Sequence, residues 1–370
     1  MDDTRTRREE RPGGPTATAA GPFPRITAVG TGVPPDSYTQ EEVLKAFEIE
    51  DPRIRAVFGN SAISSRHLSL PPRSPDGGRQ IETQGQLLCK HRSNGLDMGR
   101  NAVEACLEAA RANLSDVRYL CCVSSTGFLT PGFSALLIKD LGLRRDCARL
   151  DVVGMGCNAG LNALNAVAGW AHAHPGRLAV MVCIEVCSAA YVFDGTMRTS
   201  VVNSLFGDGA AAVTLLADAD GAAEGPEVLR FGSRIIPEHI SAMRYDWDDD
   251  HGKFSFGLDP QVPYVIGAHA EQSVRELLDG TDLRRPDINH WVVHSGGKKV
   301  IDSVRLNLGL TRHDVRHTRS VLHDYGNLSS GSFLFSYQRL LDEGTVAVGD
   351  YGVLMTMGPG STIETALIRW

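Results

Sequence analysis

The hydrophobic positions of this chain alternate between short apolar runs and longer segments with helical spacing. The apolar, β-prone runs predict strands at 117–123, 150–153, 178–186, 291–293, 351–357 and 363–368, of which 150–153 and 178–186 are expected to be buried. Helical spacing predicts helices at 134–143, 158–174, 298–308 and 329–341. This alternation predicts an α/β fold in which helices cover a largely buried sheet.

The ends of the predicted elements indicate how the chain is organised. Residues 1–24 are charged and then rich in Gly, Pro, Ala and Thr, so we expect a disordered N-terminal tail. The globular part begins near Ile26 and continues to Trp370 without a long linker. Strands and helices recur in both parts, and we therefore expect two similar α/β halves, 25–225 and 226–370.

Composition and charge exclude several classes of protein. With 44 acidic and 37 basic side chains the net charge is −7, which disfavours a general nucleic-acid binder. No apolar run approaches the ~18 residues of a membrane span, and the charged start lacks a secretory core, so we expect a soluble cytoplasmic protein. None of the eight cysteines forms a CxxC pair, so we expect neither a metal site nor a disulfide framework.

One cysteine has chemically distinctive surroundings. Cys157 lies in Gly-Met-Gly-Cys-Asn-Ala-Gly, between a predicted strand and a predicted Ala-rich helix. A helix N-terminus favours a thiolate, so we expect a lowered thiol pKa and a nucleophile. A buried cysteine in a packing turn remains the alternative.

A thiol nucleophile needs a proton-handling partner and a donor for developing negative charge. His294 ends the predicted strand 291–293, and Asn327 precedes the predicted helix 329–341. Either residue alone is also compatible with a structural role, and we interpret the other eleven histidines as mostly surface residues. Cys, His and Asn in this order also occur in papain-like proteases, but a mid-chain cysteine after a buried strand disfavours that class.

Five motifs together resemble the type III polyketide synthases, the chalcone synthase family, over roughly residues 26–370. They are Gly-Met-Gly-Cys157-Asn-Ala-Gly, Ser-Leu-Phe206-Gly-Asp-Gly-Ala, Val-His294-Ser-Gly-Gly, Tyr-Gly-Asn327-Leu-Ser-Ser and Met357-Gly-Pro-Gly-Ser-Thr. The resemblance implies a thiolase fold with five αβαβα layers, and a homodimer.

The resemblance also implies residue roles. Cys157 would carry the acyl chain, while His294 and Asn327 would drive decarboxylation and bind the enolate and thioester oxygens. Phe206 and Phe256 would be the aromatic pair between a coenzyme A tunnel and an inner cavity. The residues implied to shape that cavity are Thr126, Cys187, Ala190, Ser329, Gly358, Pro359 and Gly360.

The coenzyme A site is only partly matched. The family's basic patch corresponds to Arg53 and Arg55, and a later position carries Asn60. Lys298 and Lys299 are candidates to supply the missing basic side chains, although their position in a solvated first helical turn explains them equally well. Thr130 replaces a methionine that crosses the dimer in plant relatives.

The resemblance implies the reaction as well. We expect four malonyl-CoA units to be condensed with loss of CO₂ and the tetraketide to be closed from C8 to C3, giving 3,5-dihydroxyphenylacetyl-CoA without a cofactor. An enoyl-CoA-hydratase-like protein is an implied partner for product release. The alternatives are another aromatic-forming synthase of the family, a single-condensation ketosynthase III, or a catalytically inactive thiolase-fold subunit.

Overall fold

The computed structural model describes residues 22–73, 79–218 and 223–370. The predicted tail falls on residues 1–24, of which 1–21 lie outside the described part. The strands are β1 (Arg25–Gly32), β2 (Ser37–Thr39), β3 (Ser65–His67), β4 (Val117–Ser124), β5 (Ala148–Val153), β6 (Leu178–Glu185), β7 (Gly209–Leu216), β8 (Glu227–Ile235), β9 (Met243–Asp248), β10 (Lys253–Leu258), β11 (His290–Val293), β12 (Tyr351–Gly358) and β13 (Thr362–Arg369). The helices are α1 (Gln40–Ala46), α2 (Pro52–Gly59), α3 (Gln84–Ala109), α4 (Phe133–Asp140), α5 (Ala159–Ala173), α6 (Met197–Leu205), α7 (Val262–Leu278), α8 (Lys298–Asn307), α9 (Arg316–Tyr325) and α10 (Ser332–Glu343).

Nine of the described strands form one sheet that consists of two similar parts. One part has the order β1-β7-β6-β4-β5, the other β8-β13-β12-β11, and the single residue pair Arg25↔Glu227 joins them. Each part begins with two antiparallel pairings, which two parallel pairings follow in the first part and one in the second. The order of strands therefore recurs, while the division of the chain at residue 225 stays a prediction.

The helices complete five layers, which confirms the predicted thiolase-type αβαβα fold. Helix α3 packs on β1, β6 and β7, and α7 packs on β8 and β13. Helix α5 contacts β4, β6 and β7 from one part of the sheet and β12 and β13 from the other, and α10 likewise contacts both parts. The two helices between the sheet parts are rich in Ala, Leu and Phe because both of their sides meet apolar surface.

Most predicted elements are present, but one differs in burial. Strand β6 is buried along its whole length, as expected for an apolar run with sheet neighbours on both sides. The prediction of a buried strand at 150–153 is wrong, because among the described strands β5 has only β4 as a neighbour and forms the edge of the sheet. Val153 is accordingly 44% exposed.

The ends of several helices also differ from the predicted ones. Helix α4 ends at Asp140, before a turn at Gly142 with φ +67°. The predicted helices 158–174 and 329–341 each start with one tight 3₁₀ turn, Gly156–Asn158 and Ser329–Gly331. These two turns contact each other in the fold.

No helix in the described part of the chain is both long enough and apolar enough to cross a membrane.

Candidate active site

Three segments from distant parts of the chain meet at one cavity of about 680 Å³. Cys157 lies in the tight turn before α5, His294 directly follows β11, and Asn327 connects α9 to the turn before α10. All three side chains line this cavity, which we call the large cavity. The structure therefore brings together the three residues that the sequence singled out.

Two glycines allow the close packing of the turn that contains Cys157. Gly156 has φ +72°, and a Cβ atom there would lie 2.3 Å from Cδ of Pro359. A Cβ atom on Gly160 would lie 2.3 Å from the carbonyl oxygen of Ser330. The close approach of these two turns places Sγ of Cys157 3.6 Å from Oγ of Ser329.

The protonation of Cys157 differs from the sequence prediction. Burial raises the pKa of its thiol to about 12, and the hydrogen bond with Ser329 only partly opposes this. A lowered pKa from the helix N-terminus was expected, but removal from water outweighs that effect. At neutral pH the group is therefore a thiol rather than a thiolate.

His294 is a neutral imidazole in the wall of the large cavity. It is only 2% exposed, and burial lowers its pKa to about 3. Its Nδ1 atom has no hydrogen-bond partner among the described residues. The backbone holds the residue instead, since its N–H donates to the carbonyl oxygen of Met355 at 2.8 Å. A neutral ring of this kind can donate a hydrogen bond to an anion without carrying a charge.

The side chain of Asn327 has a fixed orientation. Its Oδ1 atom accepts hydrogen bonds from the backbone N–H of Ser329 at 2.8 Å and from Oγ of Ser332 at 3.3 Å. Its backbone N–H donates to Leu205 at 2.9 Å. Because the amide oxygen is used, the NH₂ group is the end of the side chain that can donate to a bound molecule.

A second, inner cavity of about 190 Å³ adjoins the large one. Cys157, Phe206 and Phe256 line both cavities, and the two phenyl rings meet edge to face with centroids 5.4 Å apart. The predicted residues that line the inner cavity are Thr126, Cys187, Ala190, Ser329 and Pro359. The aromatic pair therefore lies between the two spaces, as the resemblance implied.

Two of the predicted cavity residues do not line the inner cavity. Of the Gly358-Pro-Gly360 segment only Pro359 does so. Gly358 instead packs on the cysteine turn, where a Cβ atom would lie 2.7 Å from the backbone nitrogen of Asn158. Gly360 has φ +77° and turns the chain into β13. Gly358 and Gly360 thus support the position of Pro359 in the wall of the inner cavity.

Only some of the residues predicted to bind coenzyme A line the large cavity. Arg53, Lys298 and Lys299 line the large cavity, whereas Arg55 does not and binds Glu41 at 2.7 Å. Arg53 is paired with Asp51 at 3.1 Å. Sequence reasoning missed Arg198, which lines the same cavity from α6. Nothing in the sequence around it distinguishes this arginine from a surface residue.

Three further side chains near the cavities were not predicted, of which Arg66 and Glu185 are buried and Tyr245 is partly buried. Tyr245 lines the inner cavity from β9, and burial raises its pKa. Arg66 is fully buried and donates to the carbonyl oxygen of Phe206 at 2.7 Å. Glu185 accepts hydrogen bonds from the backbone N–H of Ser125 at 3.0 Å and from Ser330. Glu185 could have been recognised from the sequence, because an acidic residue within the apolar run 178–186 is costly to bury and therefore unusual.

The remaining histidines and cysteines differ in their exposure. His91 is 1% exposed and contacts Oγ1 of Thr126 at 3.3 Å, so the prediction of surface histidines is wrong for it, and His317 is buried too. All eight cysteines are free thiols, and only Cys89 is exposed. Among the described residues, no group of three or more His, Cys, Asp or Glu side chains is arranged to hold a metal ion.

Comparisons with known proteins agree with this architecture. A model of the C-terminal domain of chalcone and stilbene synthases matches residues 234–370, and a model of FAE1/Type III polyketide synthase-like proteins matches residues 56–278. The 3,5-dihydroxyphenylacetyl-CoA synthase of Streptomyces toyocaensis is 66% identical over 353 residues, 94% of this chain and 90% of the relative. The synthase of the same name from Amycolatopsis balhimycina is 66% identical over 346 residues, 94% of this chain and 93% of the relative.

The comparison of structures agrees with these comparisons of sequence. The crystal structure of PKS-I from the brown algae Ectocarpus siliculosus superimposes with a TM-score of 0.87, at 25% identity, over 98% of this chain and 100% of that one. A match of this extent includes both parts of the sheet and the helices between them. On the family models, the identity to these relatives and the shared fold, the chain belongs to the type III polyketide synthase family.

Proposed function

We propose that this enzyme condenses four malonyl-CoA units into a tetraketide and closes it from C8 to C3, giving 3,5-dihydroxyphenylacetyl-CoA. The reaction balances with release of three coenzyme A, four CO₂ and one water. Relatives with this activity in their names are 66% identical to the chain. The observation that carries the proposal is the shared cavity wall of Cys157, His294 and Asn327.

In the loading step, Cys157 accepts the acyl group from a coenzyme A thioester. The new C–S bond forms as the bond to coenzyme A breaks, and the thiol proton leaves with the coenzyme A sulfur. Because burial raises the pKa of this thiol to about 12, the free enzyme holds the proton until substrate arrives. The acyl thioester on Cys157 is neutral, so it suits the apolar surroundings that disfavour the thiolate.

In the condensing step, His294 and Asn327 act on the extender malonyl unit. The bond to the carboxylate breaks, CO₂ leaves, and the electron pair becomes an enolate whose carbon attacks the acyl carbonyl on Cys157. The C–S bond to Cys157 then breaks, the sulfur takes up a proton, and Cys157 can accept the lengthened chain from coenzyme A again. The starter malonyl unit loses its carboxylate in the same way, with a proton replacing CO₂, which accounts for the fourth CO₂. The enolate oxygen accepts hydrogen bonds from the neutral imidazole and from the amide NH₂ group. Donors that are already fixed in a dry site stabilise such a charge without reorganisation.

The inner cavity then holds the growing chain. Phe206 and Phe256 lie between it and the large cavity, so we assign them to the boundary between the coenzyme A end and the acyl end. Cyclisation requires a flexible eight-carbon chain to bring C8 close to C3. The cavity walls provide this proximity, which reduces the entropic part of the barrier.

We further propose that the enzyme works as a homodimer in the cytoplasm. The sheet edge β5 leaves its outer hydrogen-bonding groups without a strand neighbour. Apolar side chains near this edge are exposed, with Phe128 at 68%, Val153 at 44% and Met155 at 37%. A second copy would cover both the edge and these side chains. Eight free thiols suit a reducing compartment.

The test is incubation of the purified protein with malonyl-CoA alone, with products identified by mass and retention against authentic 3,5-dihydroxyphenylacetyl-CoA. We expect this thioester or its free acid, and the Cys157→Ala variant should lose at least about 10² in condensation rate. A second arm adds an enoyl-CoA-hydratase-like protein and measures release. A lactone or resorcinol product, or a single condensation, would refute the proposed reaction.

A further inference from the structure

A separate cavity of about 410 Å³ lies between α8 and α9, and we call it the α8–α9 cavity. Four permanently charged basic side chains line it, and so does His323. The four are Lys298, Arg312, Arg316 and Arg319. Among the described residues that line it, none is acidic. A concave site of this composition attracts an anion.

The carboxylates near the cavity do not balance its charge. Arg316 is paired with Glu343, while Arg319 at 2.8 Å and Lys298 at 3.4 Å share the single carboxylate of Asp302. Asp324 is occupied by His323 at 2.6 Å and by Arg339 at 2.6 Å.

Arg312 is exposed and makes no ion pair with a described residue. The four permanent cations therefore face two carboxylates, which leaves a surplus of about two positive charges, the charge of one phosphate dianion.

The α8–α9 cavity adjoins the large cavity. Lys298 lines both, and Ala62 of the α8–α9 cavity directly follows Asn60 and Ser61, which line the large one. A molecule whose thioester end lies beside Cys157 can thus extend past Lys298 toward the four basic side chains.

The helix α2, which also lines the large cavity, offers little free charge. Arg53 is paired with Asp51, Arg55 is bound to Glu41, and Asn60 is neutral.

We propose that the α8–α9 cavity binds the 3′-phosphate of coenzyme A. This inference rests on the proposed use of coenzyme A thioesters. The 3′-phosphate is a dianion far from the thiol, which fits a basic cavity beyond the one that holds the reacting end. Guanidinium groups bind phosphate oxygens through two parallel hydrogen bonds, so Arg312 and Arg319 are the groups expected to contact it.

The experiment measures binding rather than turnover, so it is independent of the product that the enzyme makes. Calorimetry compares coenzyme A with 3′-dephospho-coenzyme A on the wild type and on Arg312→Gln, a residue whose loss breaks no ion pair. We expect the wild type to bind coenzyme A at least tenfold more tightly than the dephospho form, as for the loss of a charged hydrogen-bonded contact. The variant should lose most of this difference.

Two controls make the outcome decisive. Arg92→Gln removes an exposed arginine of α3 that lines neither cavity, and it should keep the wild-type difference between the two ligands. Arg53→Gln tests α2 as the rival location. Equal affinity of the wild type for both ligands would overturn the proposal. So would an Arg312→Gln variant that weakens both ligands equally, or a loss of the difference in Arg53→Gln alone.

Discussion

The substitution Asn327→Asp separates the chemistry of this residue from its structural role. The aspartate has the same shape, and its carboxylate still accepts the hydrogen bonds from the backbone N–H of Ser329 and from Oγ of Ser332. The change removes the NH₂ donor, which the hydrogen bonds to Oδ1 leave available, and it introduces a carboxylate charge. Loss of one such donor costs about 10²–10³ in rate, or about 2.7–4 kcal/mol of transition-state stabilisation. The added negative charge also lowers the rate, because it repels the enolate.

The assay follows CO₂ release from carboxyl-labelled malonyl-CoA, together with product formation. We expect both rates to fall by at least about 10² in Asn327→Asp, and the free energy of unfolding to fall as well, because a carboxylate at this 2% exposed position is removed from water. Asn327→Ala should lose activity too, but it leaves two buried donors unpaired and should cost about 1–3 kcal/mol of stability for each.

Asn307→Asp, at the exposed end of α8, is the matched control and should retain full activity. Decarboxylation at the wild-type rate in Asn327→Asp would show that the amide donor is not used, and the assigned role would be withdrawn.

Three further predictions concern ionisation and the aromatic pair. At pH 7 an alkylating reagent should label exposed Cys89 before Cys157, and labelling of Cys157 should rise about tenfold per pH unit below its pKa of about 12; early labelling of Cys157 would contradict this. Burial lowers the pKa of His294 to about 3 and of His91 to about 4, so the unfolded chain binds more protons below pH ~6.5. The free energy of unfolding should therefore fall as the pH drops from 6.5 toward 4, by at most about 1.4 kcal/mol per pH unit for each histidine, and His91→Gln should reduce this slope in urea titrations. Phe206→Ala should join the two cavities and shift several-fold more product to other chain lengths, and an unchanged product profile by mass would refute the assigned boundary.

Much of the fold was predictable because it depends on local pattern. The sequence predicts strand β6 from an apolar run and helix α5 from an Ala-rich periodic segment, since β6 is buried along its whole length and α5 packs against both parts of the sheet. Strand β5 was misjudged because an apolar run does not reveal whether the strand has one neighbour or two. The long helix α3 was not predicted.

The candidate site residues were predictable from local sequence context. Cys157 stands out by its Gly-rich turn before a predicted helix, His294 and Asn327 by their places at the ends of predicted elements, and their roles are implied by the family resemblance. The positions of Arg55 and Arg198 were not predictable, because which arginine faces a cavity depends on carboxylates such as Glu41 on another helix. His91 was missed for the same reason, since its burial is produced by segments remote in sequence.

The sequence by itself determined the alternation of strands and helices, the three candidate site residues and the family resemblance, since each depends on local order and residue type. The tertiary structure alone decided that two cavities meet at Phe206 and Phe256 and that Oδ1 of Asn327 is occupied so that its NH₂ group is free. It also decided that Cys157 rests as a thiol rather than a thiolate. These properties arise from burial and close contact between segments far apart in the chain, and the free energy of removing a charge from water exceeds the influence of any single helix terminus.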